Sequence, residues 1–181
     1  MRRYAAFLRG MNLGGRRITN ADLCGHVAAL GFGDVWSFRA SGNLVVDAHG
    51  EDAADEVARR IEEGLATALG YPVPTYARSA AQLRAMASHE PFSPEQLAAS
   101  TGKLQVALLV DAPSAAQIAE ALAFATDDDR LAIHERELYW LPCGRMSDSG
   151  LDLRGLERVL GPTTIRTKGT INLITAKFFG D

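Results

Sequence analysis

Residues Arg9-Gly10-Met11-Asn12-Leu13-Gly14-Gly15 set a guanidinium, a carboxamide and three glycines close together. Glycine lets a backbone approach a ligand and present its N–H groups, arginine supplies a planar cation, and asparagine supplies an orienting hydrogen bond. That chemistry suits a small anion, a phosphate group above all. Ser41-Gly42-Asn43 is a second short polar turn of the same character. The glycine spacing is G-x-x-x-G-G, which is neither the G-x-G-x-x-G of a dinucleotide fold nor a P-loop, and no lysine follows it. The alternative reading is structural: the glycines serve a tight crossover with positive φ, and Ser41-Gly42-Asn43 is only a turn.

Other reactive residues are scattered. His26, His49, His89 and His134 lack partners at metal-ligand spacing and are expected as surface or satisfied histidines, with no metal assigned. No G-x-S-x-G elbow occurs, and Cys24 lies inside an apolar helical stretch, so no nucleophile with its base is nominated. The catalytic residues and the cofactor therefore stay unassigned, and whether the chain is an enzyme stays open. Asp127-Asp128-Asp129 lacks the glycine and distant glutamate of a calcium loop and reads as a solvated turn. Cys24 and Cys143, far apart, read as reduced, partly buried thiols.

The surrounding chain is of ordinary composition. Its 181 residues carry 19 basic and 22 acidic side chains, a net charge of −3, with 47% hydrophobic and 23% charged residues. Such a chain buries a core, and it is neither a nucleic-acid polycation nor disordered. Of the basic residues only Lys103, Lys168 and Lys177 are lysines. GC-rich codon usage is the expected source of the arginine excess, with a preference for bidentate anion binding as the alternative, so arginine abundance carries no weight here. No apolar run approaches the roughly 20 residues that span a bilayer, and Met1-Arg2-Arg3-Tyr4 opens no signal peptide. No membrane partner and a cytoplasmic location are expected.

The elements that must position the glycine loop follow from periodicity. Tyr4 to Arg9 reads as a strand. Thr19 caps a helix with Asp22 three residues on, and the helix carries Leu23, Val27 and Leu30 to a stop at Gly31. Val35 to Arg39 and Asn43 to Asp47 alternate at period two about the Ser41-Gly42 hairpin signal. Asp52 to Leu69 repeats apolar residues at helical steps, and Val73 to Arg78 is a strand. The order βαββαβ is that of a split βαβ unit.

After a short helix at Ala80 to Ala87 and a connection at His89 to Pro94, the order repeats. A strand spans Lys103 to Val110 and a helix Pro113 to Ala123. Strands at Arg130 to His134 and Leu138 to Leu141 flank a turn, then come a helix at Leu153 to Leu160 and a strand at Thr163 to Arg166. Thr170 to Phe179 is a terminal helix or strand. The expected fold class is α+β, two tandem ferredoxin-like (βαββαβ) subdomains with antiparallel sheets. They cover residues 1–79 and 103–181, joined by a connecting helix and linker over 80–102.

In this topology the first loop and the hairpin between the second and third strands turn at the same sheet edge. Arg9, Gly10, Asn12, Gly14, Gly15, Ser41 and Asn43 gather there with the N-terminus of the first helix, whose dipole favours an anion. A small anionic ligand is the expected partner. The rival class is a self-associating or protein-binding module, a homo-oligomer formed through its sheet edges, with a purely structural loop. RNA binding is a weaker third option, because Asn43-Leu-Val-Val-Asp47 lacks the aromatic rings that stack a base. Trp36 and Phe38 read as core or edge cover.

The stretch Tyr4-Ala-Ala-Phe-Leu-Arg-Gly-Met-Asn-Leu-Gly-Gly15, with Leu30-Gly-Phe32, Asp34-Val35 and Ser41-Gly-Asn-Leu-Val45, resembles the DUF1697 family of small bacterial proteins of unknown function. Looser similarity continues through Arg78-Ser79, Pro91-Phe92, Leu104 to Val110 and Leu156 to Gly161. The resemblance implies an α+β fold with two ferredoxin-like subdomains and no mechanism. The chain departs from the family pattern at Ser147-Asp148-Ser149-Gly150-Leu151, where a Ser-Lys-Leu-Thr stretch is expected. It departs again at Thr163-Thr-Ile-Arg-Thr-Lys-Gly-Thr170, where only Thr163, Thr164, Arg166 and Thr170 carry over. Thr164 and Arg166 are therefore additional site candidates.

Overall fold

The computed structural model describes residues 1–11, 18–39, 42–50 and 53–180. The fold is α+β, with two four-stranded antiparallel sheets and several helices. Two compact units divide the chain: Met1–Ala85 with Ile174–Asp181, and Met86–Leu173. No helix among the described residues is long and apolar enough to cross a membrane.

In the first unit, β1 (Arg2–Leu8), α1 (Asn20–Ala28), β2 (Val35–Ser37), β3 (Asn43–Ala48), α2 (Ala54–Leu69) and β4 (Thr75–Ser79) form a sheet of order β2-β3-β1-β4. Tyr4, Ala6 and Leu8 of β1 meet Leu23 and Val27 of α1 and Val57, Ile61 and Leu65 of α2 in one core. Burying that many aliphatic side chains, each contributing about 1.5–3 kcal/mol, is what holds the helices on the sheet. Ala5 and Phe7, on the opposite face of β1, are fully buried as well. This is why β1 reads as a continuous apolar run and not as an alternation. Thr19 caps α1 as expected, its hydroxyl accepting from the Asp22 N–H at 3.1 Å. The helix ends at Ala28, short of Gly31, which instead takes a φ of 84° in the turn beyond.

The tail of α7 (Lys168–Phe178), beginning at Ile174, belongs to this unit. Phe178 lies 5.9 Å from Trp36 and 6.2 Å from Phe38, ring centroid to centroid. Arg3 joins the same corner: its guanidinium grips Asp47 through two bonds of 2.7 and 2.9 Å, donates to the Phe178 carbonyl and lies over Trp36. Trp36 and Phe38 thus cover an edge, and the terminal segment is a helix, not a strand.

In the second unit, β5 (Gln105–Leu108), α5 (Ala115–Leu122), β6 (Asp129–His134), β7 (Glu137–Pro142), α6 (Leu153–Leu160) and β8 (Thr164–Thr167) form a sheet of order β6-β7-β5-β8. Ala107, Leu109, Leu138 and Trp140 pack against Ala121, Leu156 and Leu160. Ser114 and Gln117 close a reciprocal capping box on α5. Between the sheets in sequence run α3 (Ala80–Ser88) and α4 (Pro94–Ala98). The second lies in a stretch that reads as a plain connection, and a Ser93/Gln96 capping box starts it.

Candidate ligand site

The end of β1 and the β2–β3 hairpin are fastened to each other. The Leu8 N–H donates to the Gly42 carbonyl at 2.7 Å, and the Arg9 N–H donates to the Pro74 carbonyl at 2.8 Å. Phe7 stands opposite Asn43 in the β1–β3 register. Arg9 and Gly10 are half-buried, and Gly10 has a φ of 76°, a turn conformation that suits glycine. Met11 points back into the core at 4% exposure, fixing the outgoing chain. Its role is not expected from the sequence. The only signal is that it is an apolar residue in a loop otherwise rich in glycine and polar residues, a property it shares with Leu13.

The hairpin is braced from a second side. The Asn20 side chain, in the first turn of α1, donates to the Arg39 carbonyl at 2.9 Å, so the start of this helix adjoins the turn. Arg39 holds a positive φ of 59° and lays its exposed guanidinium 5.4 Å from the Phe38 ring. Asn43 is 6% exposed, and its amide nitrogen donates to the Phe38 carbonyl at 3.2 Å. That donor closes the hairpin and is not offered outward. Asn12, Gly14, Gly15 and Ser41 lie outside the described residues.

Thr164 and Arg166 belong to the second unit, on β8. The Arg166 Nη1 donates to Thr164 Oγ1 at 2.9 Å and to the Ile165 carbonyl at 2.8 Å. Burial pushes the Arg166 pKa down to about 10.

Two further clusters lie outside the candidate site, and the first departs from the sequence reading. Asp129 is 2% exposed, not part of a solvated turn, and its carboxylate accepts from Trp140 Nε1 and from Ser149 Oγ, both at 2.7 Å. It lines a cleft of about 450 Å³ together with Asp128, Cys143, Arg145 and Asp148. Cys143 is exposed, whereas Cys24 is half-buried in the helix face expected for it. His89 and His134, expected as surface or satisfied histidines, stack ring on ring with centroids 4.2 Å apart, a contact that their spacing in sequence does not signal.

No curated protein matches the chain. A solved structure of a conserved bacterial protein from Streptococcus pneumoniae superposes with a TM-score of 0.71 over 97% of both chains, at 18% identity. That likeness is one of fold. The family model for proteins of unknown function, DUF1697, matches residues 1–139, which include the β1 loop, the β2–β3 hairpin and the whole first sheet. The chain belongs to the DUF1697 family.

Proposed function

We propose that the protein binds a small anionic ligand, one with a phosphate group in the simplest case, at the edge of the first unit where β1 ends. The observation that carries this reading is the bond from Leu8 to Gly42 together with the bond from Asn20 to Arg39. These join the Arg9-Gly10 turn, the hairpin and the start of α1. Arg9 and Arg39 supply charge, and the N-terminus of α1 supplies the positive end of its dipole. Asn12, Gly14, Gly15 and Ser41 would complete the cradle. Asn43 then serves by shaping the turn, since its amide donor is committed to Phe38. We read each unit as ferredoxin-like and the pair as a duplication, with the matching strand orders β2-β3-β1-β4 and β6-β7-β5-β8 as support.

The test is a thermal-shift screen of inorganic phosphate, nucleotides and sugar phosphates on the wild-type chain and Arg9→Ala. A ligand at 100 times its dissociation constant adds about 2.7 kcal/mol, or roughly 5–10 °C for a chain of this size. Arg9→Ala is expected to remove roughly 1.5–3 kcal/mol of binding through loss of a charge-assisted hydrogen bond, while its ligand-free melting temperature stays near wild type. A variant that melts much lower without ligand yet keeps the full ligand shift assigns Arg9 to bracing the loop. A screen without hits, joined to a mass that grows with concentration, favours the self-associating module.

A further inference from the structure

We propose that His89 and His134 form an acid-released clasp, holding the segment after α3 against the second sheet at neutral pH and letting it go in mild acid. The site lies wholly in the second unit and is independent of the anion reading above. His134 ends β6, and His89 follows α3. Their rings lie 10° from parallel, and His89 also leans on Tyr139 of β7 with centroids 5.0 Å apart. Among the described residues neither imidazole makes a hydrogen bond, so stacking is what joins them. On the other side of the segment, the Lys168 Nζ of α7, 7% exposed, donates to the Ala87 carbonyl at 2.9 Å and to the Glu90 carboxylate at 3.3 Å.

Two neutral imidazoles stack favourably, whereas two imidazolium rings at this separation repel, and the ammonium of Lys168 adds to the repulsion. Glu90 beside His89 and Glu135 in the β6–β7 turn act in the opposite sense. The balance favours the neutral ring: burial first, then His134 and Lys168, hold His89 below the ordinary imidazole value. A group whose pKa is lowered on folding contributes stability above its unfolded value, about 6.5, and loses it as pH falls through the folded value. The clasp is therefore closed at neutral pH and weakens in mild acid.

The experiment is amide hydrogen exchange of the full chain over residues 86–92, corrected for the intrinsic pH dependence of exchange. It runs from about pH 7.5 to about pH 5, bracketing the imidazole value. It is accompanied by NMR titration of the His89 ring. Wild type should lose protection several-fold in this segment as pH falls. His134→Phe keeps an aromatic face but accepts no proton, so its protection should vary far less with pH, and His89 should titrate at a higher pH than in wild type. His134→Gln, which removes the stack, should leave the segment poorly protected at every pH. His134 is exposed, so both variants are expected to fold. Protection in wild type that is flat across the range, or a pH dependence equal in wild type and His134→Phe, would overturn the proposal.

Discussion

Arg78 and Arg166 hold matching places in the two sheets. Arg78 stands opposite Ala5 in the β1–β4 ladder, and Arg166 stands opposite Val106 in the β5–β8 ladder. Each guanidinium Nη1 donates to the carbonyl of the residue before it, at 2.9 Å to Ala77 and 2.8 Å to Ile165. The residue after each, Ser79 or Thr167, turns its hydroxyl to a backbone N–H in the first turn of the helix that follows, of Gln82 or Thr170. The two halves thus end their fourth strands with the same device, an inward arginine followed by a capping hydroxyl.

Arg166 tests whether that arginine stabilises the fold. Burial lowers its pKa to about 10, so its charge is disfavoured on folding. Such a group contributes stability only above its unfolded value and has lost it once pH falls below about 10. Across the neutral range the penalty is constant. Arg166→Met, which fills similar space without charge, is expected to be neutral or stabilising by up to about 2 kcal/mol. Thermal melting at pH 7 checks this. A melting temperature lower by several degrees would show that the bonds to Thr164 and Ile165 outweigh the desolvation.

Asp129 makes the opposite case. Its carboxylate satisfies the indole N–H of Trp140, itself 2% exposed, and anchors Ser149. Asp129→Ala strands a buried donor, and a loss of roughly 2–4 kcal/mol is expected in urea unfolding followed by tryptophan fluorescence. Asp129→Asn keeps an acceptor and should lose less than half as much. A cost for Asp129→Ala below about 0.5 kcal/mol, the range of idle surface changes, would contradict the role assigned to this network.

Gly42 is the position where a side chain would most disturb the candidate ligand site. Its φ is 75°, and an added Cβ would lie 3.0 Å from both Leu8 Cβ and the Leu8 carbonyl oxygen, and 3.3 Å from Met11 Cγ. Gly42→Ala should cost about 2–4 kcal/mol, combining left-handed strain with overpacking. Gly31, at φ 84° but with open space around it, isolates the first contribution, so Gly31→Ala should cost only about 1–2 kcal/mol. Equal losses for the two variants in chemical denaturation would mean that the hairpin moves away from β1 without penalty.

Local signals in the chain specify much of this architecture. The Thr19/Asp22 cap, the helix over Leu153–Leu160, the glycine after Leu69 and the βαββαβ order repeated twice can all be read in short windows, because caps, turns and periodicity are settled by near neighbours. The nearness of the β1 end to the β2–β3 hairpin also follows from that order, since a right-handed crossover sets both turns at one edge. Tertiary structure decided the rest. That Met11 turns into the core, that Asp129 is buried beneath Trp140 and that His89 meets His134 depend on pairings across the fold which no window contains. The same holds for the last turns of α7, whose Phe178 covers Trp36 and Phe38 while Arg3 reaches both its carbonyl and Asp47. A helix pattern states which face is apolar. Which surface receives that face is settled only when distant segments compete to bury it.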